Sequence, residues 1–208
     1  GVNAKSVAKK FGFEYCTSRA EEIFDNAKVN TVFIASRHDS HAEYILRALE
    51  SGKHVFVEKP LCINEEQLEE IKLKASKPAG NILHVGFNRR FSKPFVDIKN
   101  FFTEINEPLL INYRVNAGFI PKDNWIQDPV QGGRIVGEVC HFIDCMVFLT
   151  GTHPVRVYSE SVNSENTQVT ENDNIHINIK FLNGSVGSII YLANGDSVVA
   201  KEYCEVFG

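Results

Sequence analysis

The sequence predicts an α/β protein in two parts: a parallel, doubly wound sheet over residues 1–92, then an α+β domain with a mainly antiparallel sheet over 93–208. Three observations carry this reading. Up to Phe91, short apolar runs (Val32–Ala35, His54–Val57, Ile82–Phe87) alternate with helix-period stretches, the pattern of parallel strands joined by crossover helices. Beyond Ser92, extended runs follow one another, and Ile175, Ile177, Ile179 and Phe181 alternate with polar residues, as in a sheet covered on one face. Asn183-Gly184 between two such runs suits a two-residue hairpin turn.

The chain opens on a helix whose face is Ala4, Val7, Ala8 and Phe11, with Gly12 as its stop. Phe13–Thr17 reads as a short strand, and Ser18 with Glu21 as a capping box before a helix burying Ala20, Ile23, Phe24 and Ala27. Val32–Ala35 is apolar at every position, as a strand buried on both faces must be. Ser36-Arg37-His38-Asp39 is too polar to continue it. Ser40 and Glu43 form a second capping box, Ala42, Ile45, Leu46 and Leu49 recur at helical spacing, and Gly52 ends that helix. The next strand delivers Glu58, Lys59 and Pro60 at its carboxyl end, the edge where open α/β sheets bind ligands.

Asn64 caps a helix running to Ser76, which Pro78-Ala79-Gly80 breaks. The strand Ile82–Phe87 leads into Asn88-Arg89-Arg90. A helix over Pro94–Phe102 then precedes the extended run Leu109–Phe119, a loop around Trp125, a helix from Gly133 to Leu149, and strands at Val155–Val162, His176–Leu182, Ser185–Leu192 and Glu202–Phe207.

A length of 208 residues suffices for one large or two small cores. The net charge of −4, with no basic cluster beyond Arg89-Arg90, argues against a nucleic-acid partner, and no apolar run is long enough to span a membrane. The five cysteines (Cys16, Cys62, Cys140, Cys145 and Cys204) are scattered and odd in number, which fits reduced thiols and a cytoplasmic location.

Two constellations carry chemistry. Lys59 and Glu58 leave one strand end while His38 and His41 stand on the turn after its neighbour; a lysine there is also the ordinary position of a solvated charge. On the helix Gly133–Leu149, Glu138, His141 and Cys145 fall on one face, opposite Val139, Phe142, Ile143 and Met146. A metal site from Glu138, Cys140, His141 and Cys145 is disfavoured, because Cys140 and Cys145 lie about half a turn apart. Arg90 reads either as a cofactor-cleft residue or as a structural cation, and Trp125 as a sugar platform or as core.

The wording around Lys59 resembles the Gfo/Idh/MocA family of NAD(P)-dependent oxidoreductases: A-T-P-N-x-x-H, then A-x-x-x-G-K-H-V, then E-K-P. Ser36 stands for the threonine, Arg37 for the proline, His38 for the asparagine and His41 for the histidine. The family's G-G-G-x-x-x-D-x-x-x-H-x-x-D is matched by Gly132-Gly133, His141 and Asp144, with Glu138 as the acid one residue closer to the histidine. The stretch from Asn116 to Asp144 looks closest to a subgroup joined to a zinc alcohol-dehydrogenase-like domain.

The resemblance implies an incomplete Rossmann-like sheet, lacking its first strand, glycine-rich turn, helix and second strand. It also implies a dehydrogenase acting on a hydroxyl of a sugar, nucleotide sugar or polyol with NAD or NADP. Lys59, His141 and Glu138 would be catalytic; Ser36, His38, His41, Glu58, Lys59, Asn88 and Arg90 would bind the cofactor; Lys59, Trp125, Glu138 and His141 would meet the substrate. No metal is implied. A homo-oligomer built through the open face of the second sheet is expected. The alternative is a non-catalytic ligand-binding relative or an inactive fragment.

Overall fold

A computed structural model describes residues 2–76, 80–105, 107–162 and 173–208. The helix break expected at Pro78-Ala79 lies outside them. Helix α1 (Val2–Phe11) and the single turn α2 (Glu21–Phe24) lead into β1 (Thr31–Ile34), α3 (His41–Glu50), β2 (His54–Val57), α4 (Glu65–Ala75) and β3 (Leu83–Val85). The three strands pair in parallel in the order β1-β2-β3.

One face of this sheet is core. Ile34, Val55 and Val57 pack on Ala42, Ile45, Ala48 and Leu49 of α3, Ile71 of α4 and Phe24 of α2. Full burial of each larger side chain contributes about 1.5–3 kcal/mol. The other face is open, contrary to the expectation for β1: Phe33 is 73% exposed. It lies in register with Phe56 and His84, and the three rings stack across the strands with centroids 5.2 and 5.4 Å apart. An all-apolar strand of four residues cannot by itself tell one covered face from two.

Local departures follow the same logic. Phe13–Thr17 forms no strand: among the described residues no strand pairs with it, and Phe13 and Tyr15 are exposed. Among the described side chains of α1 only Ala8 is buried, while Val7 and Phe11 face outward. Neither serine capping box forms: α2 starts after Ala20, and the Ser40 hydroxyl donates instead to Arg37 O at 2.8 Å. Asn64 does cap α4, accepting from Gln67 N–H at 2.9 Å. Lys53, almost fully buried, donates to Asn26 O and Val29 O at 2.9 and 2.7 Å and ties the loop before β1 to the start of β2.

The second part comprises α5 (Lys93–Phe102), β4 (Leu110–Asn116), a π-helical turn (Ile135–Val139) continued by α6 (Cys140–Thr150), and β5 (Pro154–Ser161), β6 (Ile175–Phe181), β7 (Val186–Leu192) and β8 (Glu202–Phe207). Its sheet runs β5-β6-β7-β4-β8, antiparallel except for the parallel pair β4–β7. The run expected to reach Phe119 ends at Asn116, and β3 stops at Val85 rather than Phe87. The β6–β7 connection is wider than two residues: Phe181 N–H donates to Ser185 O at 3.0 Å, with Gly184 left-handed inside the loop.

Ile111, Tyr113, Val115, Ile177, Ile179, Phe181, Ile189 and Tyr191 face Phe95 of α5 and Phe142, Cys145, Met146 and Leu149 of α6. A side chain at Gly187 would run into Met146, so the glycine lets α6 sit close on β7. Among the described residues no helix covers the opposite face. Rows such as Glu160–His176–Ile190–Arg114–Tyr203 cross all five strands there, with Ile190 43% and Tyr203 51% exposed.

Candidate functional site

The carboxyl ends of β1, β2 and β3 meet the start of α6. Glu58 N–H donates to Ile34 O at 2.8 Å and Gly86 N–H to Val57 O at 2.7 Å, so the three strand ends finish level. A Cβ at Gly86 would lie 3.1 Å from the Phe56 ring and 3.3 Å from Glu58 Oε2, which makes the glycine a condition for this close approach. Ser36 is exposed on the first turn, its hydroxyl 2.7 Å from that of Ser40. Asn88 is exposed beyond β3. A hydroxyl, a carboxylate and an amide thus line one edge.

The two histidines of the turn differ. His41 is fully buried, with Nδ1 2.7 Å from Pro60 O and Nε2 3.1 Å from Ser36 O. Both polar atoms face main-chain carbonyls, so His41 has nothing to offer a cofactor, contrary to the expectation; it staples the turn after β1 to the segment after β2. His38 Nδ1 lies 3.0 Å from Gln131 O. A carbonyl only accepts, so Nδ1 carries the proton and Nε2 the lone pair. Burial lowers the pKa of His38 and favours the neutral ring. The ring meets Trp125 edge-on at 5.3 Å, and the Arg37 guanidinium lies 5.5 Å from the same indole. Trp125 is 40% exposed, so it is a rim residue and not core.

Lys59 crosses to the second part and donates from Nζ to Gly137 O at 2.7 Å. Gly137 belongs to the π-helical turn, a distortion that often marks functional positions in helices. The continuous α-helix expected from Gly133 is therefore interrupted over Ile135–Val139 by a wider turn. His141 follows on α6, 4% exposed, its Nδ1 without a hydrogen-bond partner among the described residues. Burial, with the nearby Arg89 and Lys59 cations, pushes its pKa down to about 4. It is a neutral imidazole at pH 7.

Glu138 does not orient His141. Its carboxylate accepts from the Tyr191 hydroxyl, lies 3.3 Å from Lys201 Nζ and 3.9 Å from Arg134. Burial alone would raise its pKa, but Tyr191 and the two cations hold it below the ordinary carboxylate value. Arg90 is a structural cation: it forks onto Asp144 of α6, with Nε to Oδ2 at 2.8 Å, and so leaves the cofactor cleft. Arg89 likewise forks onto Glu202 at 2.7 and 3.2 Å, and Glu202 also accepts from Tyr113 at 2.7 Å. Burial pushes the Cys140 thiol to about 11 and Cys145 to about 12, so neither is a thiolate at neutral pH. Among the described residues no group of three His, Cys, Asp or Glu is placed to hold a metal.

Gly137, Gln131, Tyr191, Lys201 and Glu202 are parts of this site that sequence reasoning missed. Only Gly137 left a signal, since it stands one helical turn before His141, where the resemblance would put an acid. The others arrive through contacts across 53 to 113 residues of chain, which no local pattern reports.

Residues 2–87 match the family described as "Oxidoreductase family, NAD-binding Rossmann fold", and residues 103–206 its "C-terminal alpha/beta domain". The chain is 30% identical over 190 residues to the uncharacterized oxidoreductase YrbE of Bacillus subtilis, covering 89% of this chain and 55% of that protein. It is 25% identical over 190 residues to myo-inositol 2-dehydrogenase of Thermotoga maritima, covering 89% and 56%. A levoglucosan dehydrogenase solved with NADH and levoglucosan superposes with a TM-score of 0.84 at 25% identity, covering 100% of this chain and 59% of the other. The chain thus spans a little over half the length of these relatives.

Proposed function

Because the chain belongs to the Gfo/Idh/MocA oxidoreductase family, we propose that it is the catalytic portion of a nicotinamide-dependent dehydrogenase that oxidises a secondary hydroxyl of a neutral sugar or polyol. The observation that carries this reading is the meeting of Lys59 Nζ, at the end of β2, with the head of the helix that bears a buried, neutral His141. The inositol and levoglucosan dehydrogenases among its relatives support the substrate class.

The residues at the strand ends suit the cofactor. The Ser36 hydroxyl, Glu58 carboxylate and Asn88 amide would hold its ribose and carboxamide, and Gly86 lets the Phe56 ring and the Glu58 carboxylate sit close against the end of β3. A bound nicotinamide supplies the hydride acceptor. Lys59 spends one N–H on Gly137 O and keeps two for the reacting oxygen. His141, held neutral by burial and by the Arg89 and Lys59 cations, accepts the hydroxyl proton directly or through Lys59. Trp125 and Arg37 form a rim over which a sugar ring can lie. The Arg89–Glu202 and Arg90–Asp144 forks hold the linker after β3 onto the second sheet and α6, which keeps Lys59 and His141 in register.

The uncovered face of the second sheet suits a homo-oligomer, since Leu110, Val186, Ile190 and Phe207 are all at least 39% exposed on it. All five cysteines are free, which fits a reducing, cytoplasmic setting. Among the described residues no helix is long and apolar enough to cross a membrane. The test is calorimetric titration with NAD+ and NADP+, followed by hydride transfer to myo-inositol and levoglucosan. Saturable binding of either nucleotide is expected; a folded sample that binds neither refutes the reading for this chain.

A further inference from the structure

One helical turn before His141 the chain has Gly137, and the space beside it is taken by another part of the molecule. A Cβ built on Gly137 would lie 2.8 Å from His38 Cε1, 3.4 Å from Nδ1 and 3.9 Å from Nε2. The imidazole of His38 therefore fills the volume that a side chain at 137 would occupy. The same glycine's carbonyl receives Lys59 Nζ at 2.7 Å, so His38 and Lys59 converge on one residue from two strand ends. His38 is held from behind by Nδ1–H to Gln131 O at 3.0 Å and from the side by Trp125. Among the described residues the His38 side chain bonds through Nδ1 and its Nε2 lone pair takes no hydrogen bond. A fixed ring, 6% exposed, thus keeps one unused acceptor beside the catalytic lysine.

The carboxylate nearest in sequence, Glu138, is turned away onto Tyr191 and Lys201 and does not fill this role. Cofactor binding, the role implied for His38 by its position in the turn, fits less well: the ring points across the seam toward the π-helical turn and not along the strand ends with Ser36 and Glu58.

We propose that His38, through Nε2, accepts a hydrogen bond from a hydroxyl of the substrate adjacent to the one held by Lys59, so that this chain reads a vicinal diol with an imidazole in place of an acid. The inference rests on the dehydrogenase reading above and deepens it. The substrate class it specifies is a neutral ring with neighbouring hydroxyls, one donating to His38 and one meeting Lys59. Burial, which keeps His38 uncharged, preserves the lone pair at neutral pH.

The probe is myo-inositol, added to the NADH-loaded chain with 15N-labelled histidine and followed by NMR. The Nε2 resonance of His38 is expected to move on titration while Nδ1, already bonded to Gln131, stays in place. His38→Phe keeps a ring against Gly137 and Trp125 but has no acceptor; it is expected to weaken myo-inositol binding about tenfold, the upper range for one hydrogen bond, with NADH affinity unchanged. A still Nε2 resonance overturns the inference even if the variant does not fold. Weakened NADH with unchanged myo-inositol also overturns it and returns His38 to the cofactor. NADH binding without any myo-inositol binding overturns it too, whereas failure of the wild type to bind either nucleotide sinks the dehydrogenase reading itself. Gly137→Asp should not fold stably against the His38 ring, and His38→Asn in the same chain should relieve it.

Discussion

The depressed pKa of His141 makes stability depend on pH in a calculable direction. In the unfolded chain the imidazole titrates near the ordinary value of 6.5; in the folded chain it does so at about 4. Between those values the unfolded state binds the proton and the folded state does not, so stability rises with pH across that window and is lost as pH falls through it. At about 1.36 kcal/mol per pH unit, the gap sets a ceiling of about 3 kcal/mol for this one group. The cause is visible in the site: the ring is 4% exposed, Nδ1 has no acceptor to receive a second N–H, and Arg89 and Lys59 repel the charge. The assay is urea unfolding of the wild type and His141→Gln from pH 4 to 7.5, followed by the α6-dependent far-ultraviolet signal. Subtracting the variant removes the carboxylates and His38, which titrate in both proteins. The wild-type advantage is expected to shrink by about 2–3 kcal/mol as pH falls from 7 to 4. A difference that stays flat across this range refutes the neutral, proton-accepting His141 on which the proposed mechanism depends.

Three further outcomes follow from the same contacts. Lys59→Ala is expected to lower turnover by about a hundredfold or more while leaving nucleotide affinity nearly intact, checked by steady-state kinetics beside calorimetry; equal loss of both would make Lys59 a cofactor residue. Arg90→Met leaves Asp144, 7% exposed at its side chain, without its forked partner and should cost about 2–4 kcal/mol in urea unfolding, largely recovered by adding Asp144→Asn. Ile190→Lys on the open face of the second sheet should dissociate an oligomer in sedimentation velocity without changing the unfolding midpoint, since Ile190 is 43% exposed in the single chain; an unchanged sedimentation coefficient for an oligomeric wild type would move the interface elsewhere.

Much of the architecture was legible because it is written in local periodicity. The apolar stripe of α3, the glycine at 52, the Asn64 cap and the alternation along β6 each follow from steric and hydrogen-bonding rules that act within a few residues. The delivery of Lys59 to a strand end was likewise a local matter. Local rules failed where a partner had to be known. Phe13–Thr17 has strand composition but no ladder to join, and the Ser40 hydroxyl found a nearer acceptor in Arg37 O than the helix it was expected to cap.

Composition and order alone therefore determined the two-part α/β design and the residue types that reach the strand ends, but not that one face of the first sheet stays open, where Phe33 is exposed. Tertiary structure decided what those residues do. It buried both nitrogens of His41 against carbonyls, gave Arg90 to Asp144 and Glu138 to Tyr191, and left His141 Nδ1 without a partner while His38 bonds through Nδ1 to Gln131. The physical reason is that a titratable group takes its role from the charges and dipoles packed around it, and here those come from segments up to 113 residues away in the chain.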